Sequence, residues 1–230
     1  YDKGSTHYSR ENFTSYPDNV IVTHITADGS EKISLDVSVE PDNSRGSAIN
    51  GIGDSSYQRT WDTTVSDGRI SINGQLTDNQ MKFSSQTQVI TDNAGTVTDG
   101  DGKVSVSGAS EVTIITSMGT DYKDEYPSYR TGETASELTN RVKWYVDQAA
   151  VKTYEELKAN HVSDYQEIFN RVDLNLGQTV STKTTDALLS AYKAGTASEA
   201  ERRQLEVMLF QYGSCLLYTS PSPRDKRQSR

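Results

Sequence analysis

Cysteine is all but missing from this sequence. Cys215 is the only one and residues 1–213 contain none, a pattern that fits export from a bacterium. Positive charge is outweighed, with 23 Lys and Arg against 32 Asp and Glu and a net charge of −9. That balance argues against a nucleic-acid backbone or an anionic membrane as the main partner. No apolar run approaches the roughly 20 residues of a membrane span, and no basic-then-apolar signal segment opens the chain. Gly-rich phosphate loops, a nucleophile elbow and paired Cys/His spacings are all absent, as is any repeat of fixed period. The residues by themselves therefore name no cofactor, metal or nucleophile.

What is there is polar and turn-rich: Ser, Thr, Asp, Asn and Gly abound, and 13 Tyr stand against 4 Phe. Such compositions build sheets with many turns. The clearest strand is 33–39, where Ile33, Leu35, Val37 and Val39 alternate with Ser34, Asp36 and Ser38. This predicts an antiparallel, half-buried strand with the aliphatic set inward. Further strands are expected at 20–26, 69–76, 81–90, 103–107 and 111–116. Turns are expected at Asp28-Gly29, Asp67-Gly68, Asn73-Gly74, Asn93-Ala-Gly95, Asp99-Gly100 and Asp101-Gly102, where Gly and Asn or Asp tolerate positive φ. Strands at this spacing across 18–120, with no helix between them, imply a sandwich or barrel.

After the connector at 122–134 the period changes. Leu138, Val142, Tyr145 and Ala149 share one helical face. Thr153-Tyr-Glu-Glu156 is a capping box for a second helix, and Ser163-Asp-Tyr-Gln166 repeats that pattern before Tyr165, Ile168, Phe169 and Val172. Residues 172–176 alternate like a short strand ending at Gly177. Thr184 or Thr185 can cap a helix through Tyr192, and Ser198-Glu-Ala-Glu201 opens a last one with Leu205, Met208, Leu209 and Tyr212 as its apolar stripe.

Three patterns invite a chemical reading. Asp99-Gly-Asp-Gly102 looks like a calcium loop, but Lys103 stands where a third oxygen ligand belongs and no distal Glu follows, so we read a double turn. His161-Val-Ser-Asp164 could belong to a catalytic or metal pair. With three His in the chain and none at metal-ligand spacing from it, we read an inter-helix hydrogen-bonding role. Tyr8, Phe13, Tyr16, Tyr57 and Trp61 could form a sugar-stacking platform, yet aromatic residues beside strands more often pack.

The order of segments carries a resemblance. Residues 8–22 (YSRENFTSYPDNVIV), 74–83 (GQLTDNQMKF), 157–177 (LKANHVSDYQEIFNRVDLNLG) and 209–213 (LFQYG) resemble, in that order, segments of glycoside hydrolase family 95, whose founding activity is α-L-fucosidase. The resemblance implies an incomplete antiparallel β-sandwich, then an α-helical linker and the first helices of an (α/α)6 barrel. Its divisions would be a partial N-terminal sandwich at 1–130, a linker at 131–177, the start of the barrel at 178–213 and a tail at 214–230. It implies exo-acting, inverting hydrolysis of glycans by a carboxylic acid and a carboxylate base. In the family these lie in the barrel, downstream of the FQYG helix, so no catalytic, cofactor-binding or metal residue is carried over. Glu11, Asp18, Asp164 and Glu167 lie in matched segments and are read as structural. The implied partners are a glycan substrate and the remainder of the barrel, with no nucleic acid, no membrane span and no cofactor. The parent is expected outside the cell or at its surface.

Two readings compete for the tail, which gathers Arg224, Lys226, Arg227 and Arg230 against Asp225. One is a native basic hook for a partner or nucleic acid. The other, which we adopt, is translated adapter read-through, since the family has Arg-Tyr where Ser214-Cys215 stands; the chain would then be an internal fragment. Two functional rivals also stand: a related specificity such as α-L-galactosidase, and a non-catalytic glycan-binding or surface β-module with a helical stalk.

Overall fold

The structure, a computed structural model, describes residues 1–41 and 59–219, with side chains through Gly213. Tyr57 and residues 220–230 lie outside the described residues. By contact density the chain forms two units, Tyr1–Val162 and Ser163–Arg230.

Among the described residues the first unit holds ten strands. They are β1 (Asp2–Lys3), β2 (Thr6–Ser15), β3 (Val20–Asp28), β4 (Ile33–Ser38), β5 (Arg59–Ser66), β6 (Arg69–Leu76), β7 (Lys82–Thr91), β8 (Thr96–Asp99), β9 (Lys103–Ala109) and β10 (Glu111–Thr120). A seven-stranded sheet runs β1-β2-β3-β10-β7-β6-β5 and a three-stranded sheet runs β4-β9-β8. Every described pairing is antiparallel. Ile25 and Ala27 of β3, Ile70 and Ile72 of β6, and Val89 and Val112 gather with Ile33, Val104 and Val106 of the smaller sheet into one core. This is the expected sandwich. Its β4 register is the predicted one, with Ile33 buried, Leu35 and Val37 packed on the core, and Ser34, Asp36 and Ser38 exposed.

The other face of the large sheet is covered by helices. α1 (Ala135–Ala150) buries Leu138, Val142, Val146 and Ala149. The central residue of its third turn is thus Val146, with Tyr145 only partly buried beside it. Val20 and Val22 of β3 and Ile115 of β10 meet Val146, Ala149 and the start of α2 (Tyr154–Phe169) in a second core. Both helix starts are capping boxes. Thr134 accepts from Glu137 N at 3.2 Å while Glu137 accepts from Thr134 N at 2.8 Å, and Thr153 and Glu156 exchange the same pair at 3.2 and 2.8 Å.

Several local expectations are corrected. Asn73-Gly74 is strand, not turn: it sits inside β6, opposite Asp62 and Trp61 of β5. A Cβ at Gly74 would lie 2.3 Å from the Thr60 carbonyl oxygen and 2.5 Å from the Phe83 ring. The glycine is required by close backbone approach, which a sequence pattern does not distinguish from a turn. Ser163 opens no helix, because α2 runs through it to Phe169. Residues 172–176 form no strand; Asn175 instead takes the N–H of Gly177 at 2.8 Å in a local turn, with Gly177 at φ 68°.

In the second unit α3 (Thr185–Lys193) starts after Thr184, whose side chain makes no capping bond. α4 (Glu199–Thr219) starts after Ser198, which exchanges hydrogen bonds with Glu201. Its backbone continues through Ser214 to Thr219. Of the stripe, Leu205 and Met208 are half-buried and Leu209 and Tyr212 are 72% and 65% exposed, while Val207 beside them is buried. Among the described residues no helix is long and apolar enough to cross a membrane.

Candidate functional site

Of the residues that the sequence singles out for a chemical reading, all but Tyr57 lie among the described ones. Asp18 closes the β2–β3 turn and is buried; Ser15 Oγ donates to it at 2.7 Å and Lys152 Nζ pairs with it. Burial pushes its carboxyl up, but the Lys152 ammonium and the Ser15 hydroxyl outweigh that and hold it below the usual range. Glu11 of β2 receives Lys158 Nζ at 2.7 Å and the Tyr154 hydroxyl, and the lysine holds its carboxyl low. Both carboxylates thus tie the sheet to the turn before α2 and to its first turns. His161 stacks on Phe13 at 5.0 Å, which is where this helix lies against β2.

His24 joins this seam. It is buried, its Nδ1 lies 3.0 Å from the Thr113 hydroxyl, and its ring stacks on Tyr154 at 3.6 Å and 6°. Burial pushes its pKa down, against the pull of Glu111, Glu155 and Glu11. The Asp99–Gly102 segment is the β8–β9 connection. Asp99 Oδ1 accepts from Gly68 N at 2.9 Å and Gly102 has φ 69°. Among the described residues no group of His, Cys, Asp and Glu is placed to hold a metal. The aromatic residues form no platform: Tyr8 and Trp61 pack on the sandwich core, Phe13 on the opposite core, and Tyr16 is 84% exposed.

The titration pattern is uniform. Every described carboxyl whose pKa is displaced is displaced downward, from Glu11, Asp18 and Asp147 in the first unit to Glu201 in the second, brought to about 2 chiefly by the Lys183 ammonium. A general acid working near neutrality needs the opposite displacement. Each of these carboxylates instead accepts hydrogen bonds from a neighbouring cation, hydroxyl or backbone N–H.

A feature that pattern reading passed over is a groove of about 490 Å³ on the helix-facing side of β5, β6 and β7, beside α1. Cross-strand register builds it: Arg69 stands opposite Gln88, Ser71 opposite Gln86 and Asn73 opposite Ser84. Arg69 Nε donates to Gln88 at 2.8 Å and its Nη2 reaches Asp147 of α1 at 2.7 Å. Ser71 Oγ donates to Gln86 at 2.7 Å, and Gln86 is only 2% exposed. Asn73 Oδ1 accepts from both Ser84 and Thr139, at 2.8 and 2.7 Å.

Comparison with known proteins places these features. The model of the glycosyl hydrolase family 65 N-terminal domain matches residues 1–125, and that of the glycosyl hydrolase family 95 catalytic domain matches residues 153–228. "Alpha-L-fucosidase 2" of Arabidopsis thaliana is 27% identical over 237 residues, covering 97% of this chain and 27% of that protein. "Probable alpha-fucosidase A" of Aspergillus niger is 28% identical over 232 residues, with the same 97% and 27% coverage. The chain thus spans 27% of the length of these curated relatives. A solved "Putative kojibiose phosphorylase from human microbiome" superposes with a TM-score of 0.42 at 10% identity, over 71% of this chain and 20% of that one. The family 65 type of the N-terminal domain is a refinement that the four matched segments did not carry. The first match takes in more than half the chain, so the chain belongs to the glycoside hydrolases and carries an N-terminal domain of the family 65 type, while residues 153–228 match the family 95 catalytic-domain model.

Proposed function

We propose that this chain is the N-terminal part of an exo-acting enzyme that removes α-L-fucose from glycans with inversion, and that its catalytic carboxylates stand outside these residues. The alignment of 97% of this chain with 27% of a plant α-L-fucosidase, opening on an N-terminal-domain match, carries the reading. Inversion needs an acid with a raised pKa and a base about 6.5–9.5 Å from it, with a water between. The downward-shifted, ion-paired carboxylates of the described residues support placing that pair elsewhere. The exposed Leu209, Phe210 and Tyr212 of α4 would then pack on further barrel helices. A cysteine-free, acidic and hydroxyl-rich body suits an enzyme working outside the cell or at its surface.

The test is paired. Purified, demonstrably folded chain is expected to turn over neither p-nitrophenyl α-L-fucoside nor a fucosylated oligosaccharide, because binding alone supplies nothing aimed at the transition state. The parent enzyme from an independent assembly of the same locus is expected to release β-L-fucose first, read by proton NMR. Release of another sugar by the parent would overturn the specificity. Turnover by the chain that is lost in Asp164→Asn or Glu167→Gln would overturn the placement of the pair.

A further inference from the structure

The helix-facing side of the large sheet changes character across its width. On β3 and β10 it presents Val20, Val22 and Ile115, which α1 and α2 bury. On β5, β6 and β7 the same face presents hydroxyls, amides and one guanidinium. Thr64 and Ser66 of β5 are exposed there, and Gln86 forms the floor. A sheet face that merely meets water needs no ordered polar layer. Here the layer is held: the side chains of Arg69, Ser71, Asn73, Gln86 and Gln88 are fixed by one another or by α1, and all project from paired strands. Rigid elements fix such groups better than loops do.

The charge of the groove selects its ligand. Arg69 and Lys143 both engage Asp147, at 2.7 and 2.6 Å, and Asp67 accepts from Ser66 at 2.9 Å. The lining itself holds two cations and one anion, and Asp147 beside it pairs with both cations, so no unpaired cation is left to attract a phosphate or a carboxylate. No aromatic ring lines it, so a planar heterocycle finds nothing to stack on. What remains is a row of neutral donors and acceptors in a volume within the range of small-molecule sites, about 300–1,000 Å³. A polyhydroxylated, uncharged ligand matches that row.

We propose that this groove is a non-catalytic subsite for a short neutral oligosaccharide, with Gln86, Gln88 and Arg69 at its floor and Thr64 and Ser66 at its rim. The proposal rests on the glycoside-hydrolase reading for its choice of probes, and the groove's neutrality carries the rest. It would hold a neighbouring stretch of the glycan while another part of the parent enzyme cleaves.

The experiment titrates the full 230-residue chain, isotopically labelled, with 2′-fucosyllactose, maltotriose and xylotriose, and with digalacturonate as the charged control. At least one neutral probe is expected to shift the backbone amides of β5, β6 and β7 in the groove, with digalacturonate at least tenfold weaker. Thr64→Trp, which fills the groove from its rim, and Gln88→Ala, which removes a floor amide, are each expected to weaken binding at least tenfold. Melting temperatures identify which variants fold, and either folded variant suffices. Shifts elsewhere only, preference for digalacturonate, binding unchanged in the folded variants, or no binding by any probe would each overturn the proposal. Its failure is distinct from that of the enzymatic reading, since fucose release by the parent is measured separately.

Discussion

At the scale of single residues, the chain spends its polar side chains on joining layers. His24 shows what this costs. Its imidazole lies between β10 and the Tyr154 ring, and burial lowers its pKa from the ordinary 6.5. The unfolded chain then binds a proton at a higher pH than the folded one does. Stability is therefore complete above about pH 6.5 and declines as the pH falls through the lower folded value. The neighbours of opposite charge, Glu111, Glu155 and Glu11, moderate the decline without reversing it, and Lys158 adds to it. Asp18 and Glu11 contribute in a separate window, since their carboxyls are held below 3.8 and 4.5 and their stabilisation is lost only as the pH falls beneath those values. Thermal melts at about pH 7.5 and pH 5.5 should show a lower melting temperature at the acidic value. His24→Gln, which keeps a hydrogen-bonding group beside Thr113 without a titrating ring, should flatten that difference. An equal slope in both proteins would mean that His24 is not the titrating group.

At the scale of elements, legibility in the sequence followed the chemistry of each strand. β4 and β6 carry aliphatic residues at alternate positions, so their inward faces could be read directly. β2 could not. Its sequence, THYSRENFTS, has no aliphatic alternation, and only cross-strand pairing with β3 over nine positions reveals it. The groove was hidden for a related reason. Arg69, Ser71 and Asn73 read as a solvent-facing row of one strand, and only the β6–β7 register sets them against Gln88, Gln86 and Ser84. Capping boxes, by contrast, are local, and those at Thr153 and Ser198 were legible as written. Gly74 is where a local signal misled. A Cβ there would press on the Thr60 carbonyl, which belongs to the backbone of the β5–β6 ladder and cannot rotate away. Gly74→Ala should therefore cost about 1–3 kcal/mol, as overpacking does, measured by denaturant melts. A glycine in an ordinary open turn would give a change near zero, and that result would return Asn73-Gly74 to the turn reading.

At the scale of the whole molecule, burial is unevenly spread along the chain. Among the described residues, the fully buried members of both large cores lie between Val20 and Leu157, with the sandwich core between the sheets and the second core under α1 and the start of α2. In α4 the buried residue is Val207, which precedes Ser214, while Leu209 and Tyr212 are largely exposed. A cooperative melt is governed by the apolar surface that leaves water, about 25 cal/mol for each Å². Among the described residues neither core includes one beyond Leu157. Deleting 214–230 removes Arg224, Lys226, Arg227 and Arg230 against Asp225 and so makes the chain more acidic. Charges on a segment that adds no native packing would shift stability by only a few tenths of a kcal/mol. The melting temperature followed by tryptophan fluorescence, from Trp61 on the sandwich core and Trp144 on α1, should therefore be unchanged within error by the deletion. A fall of several degrees would show that this segment contributes native packing, and the adapter reading of the tail would have to be abandoned.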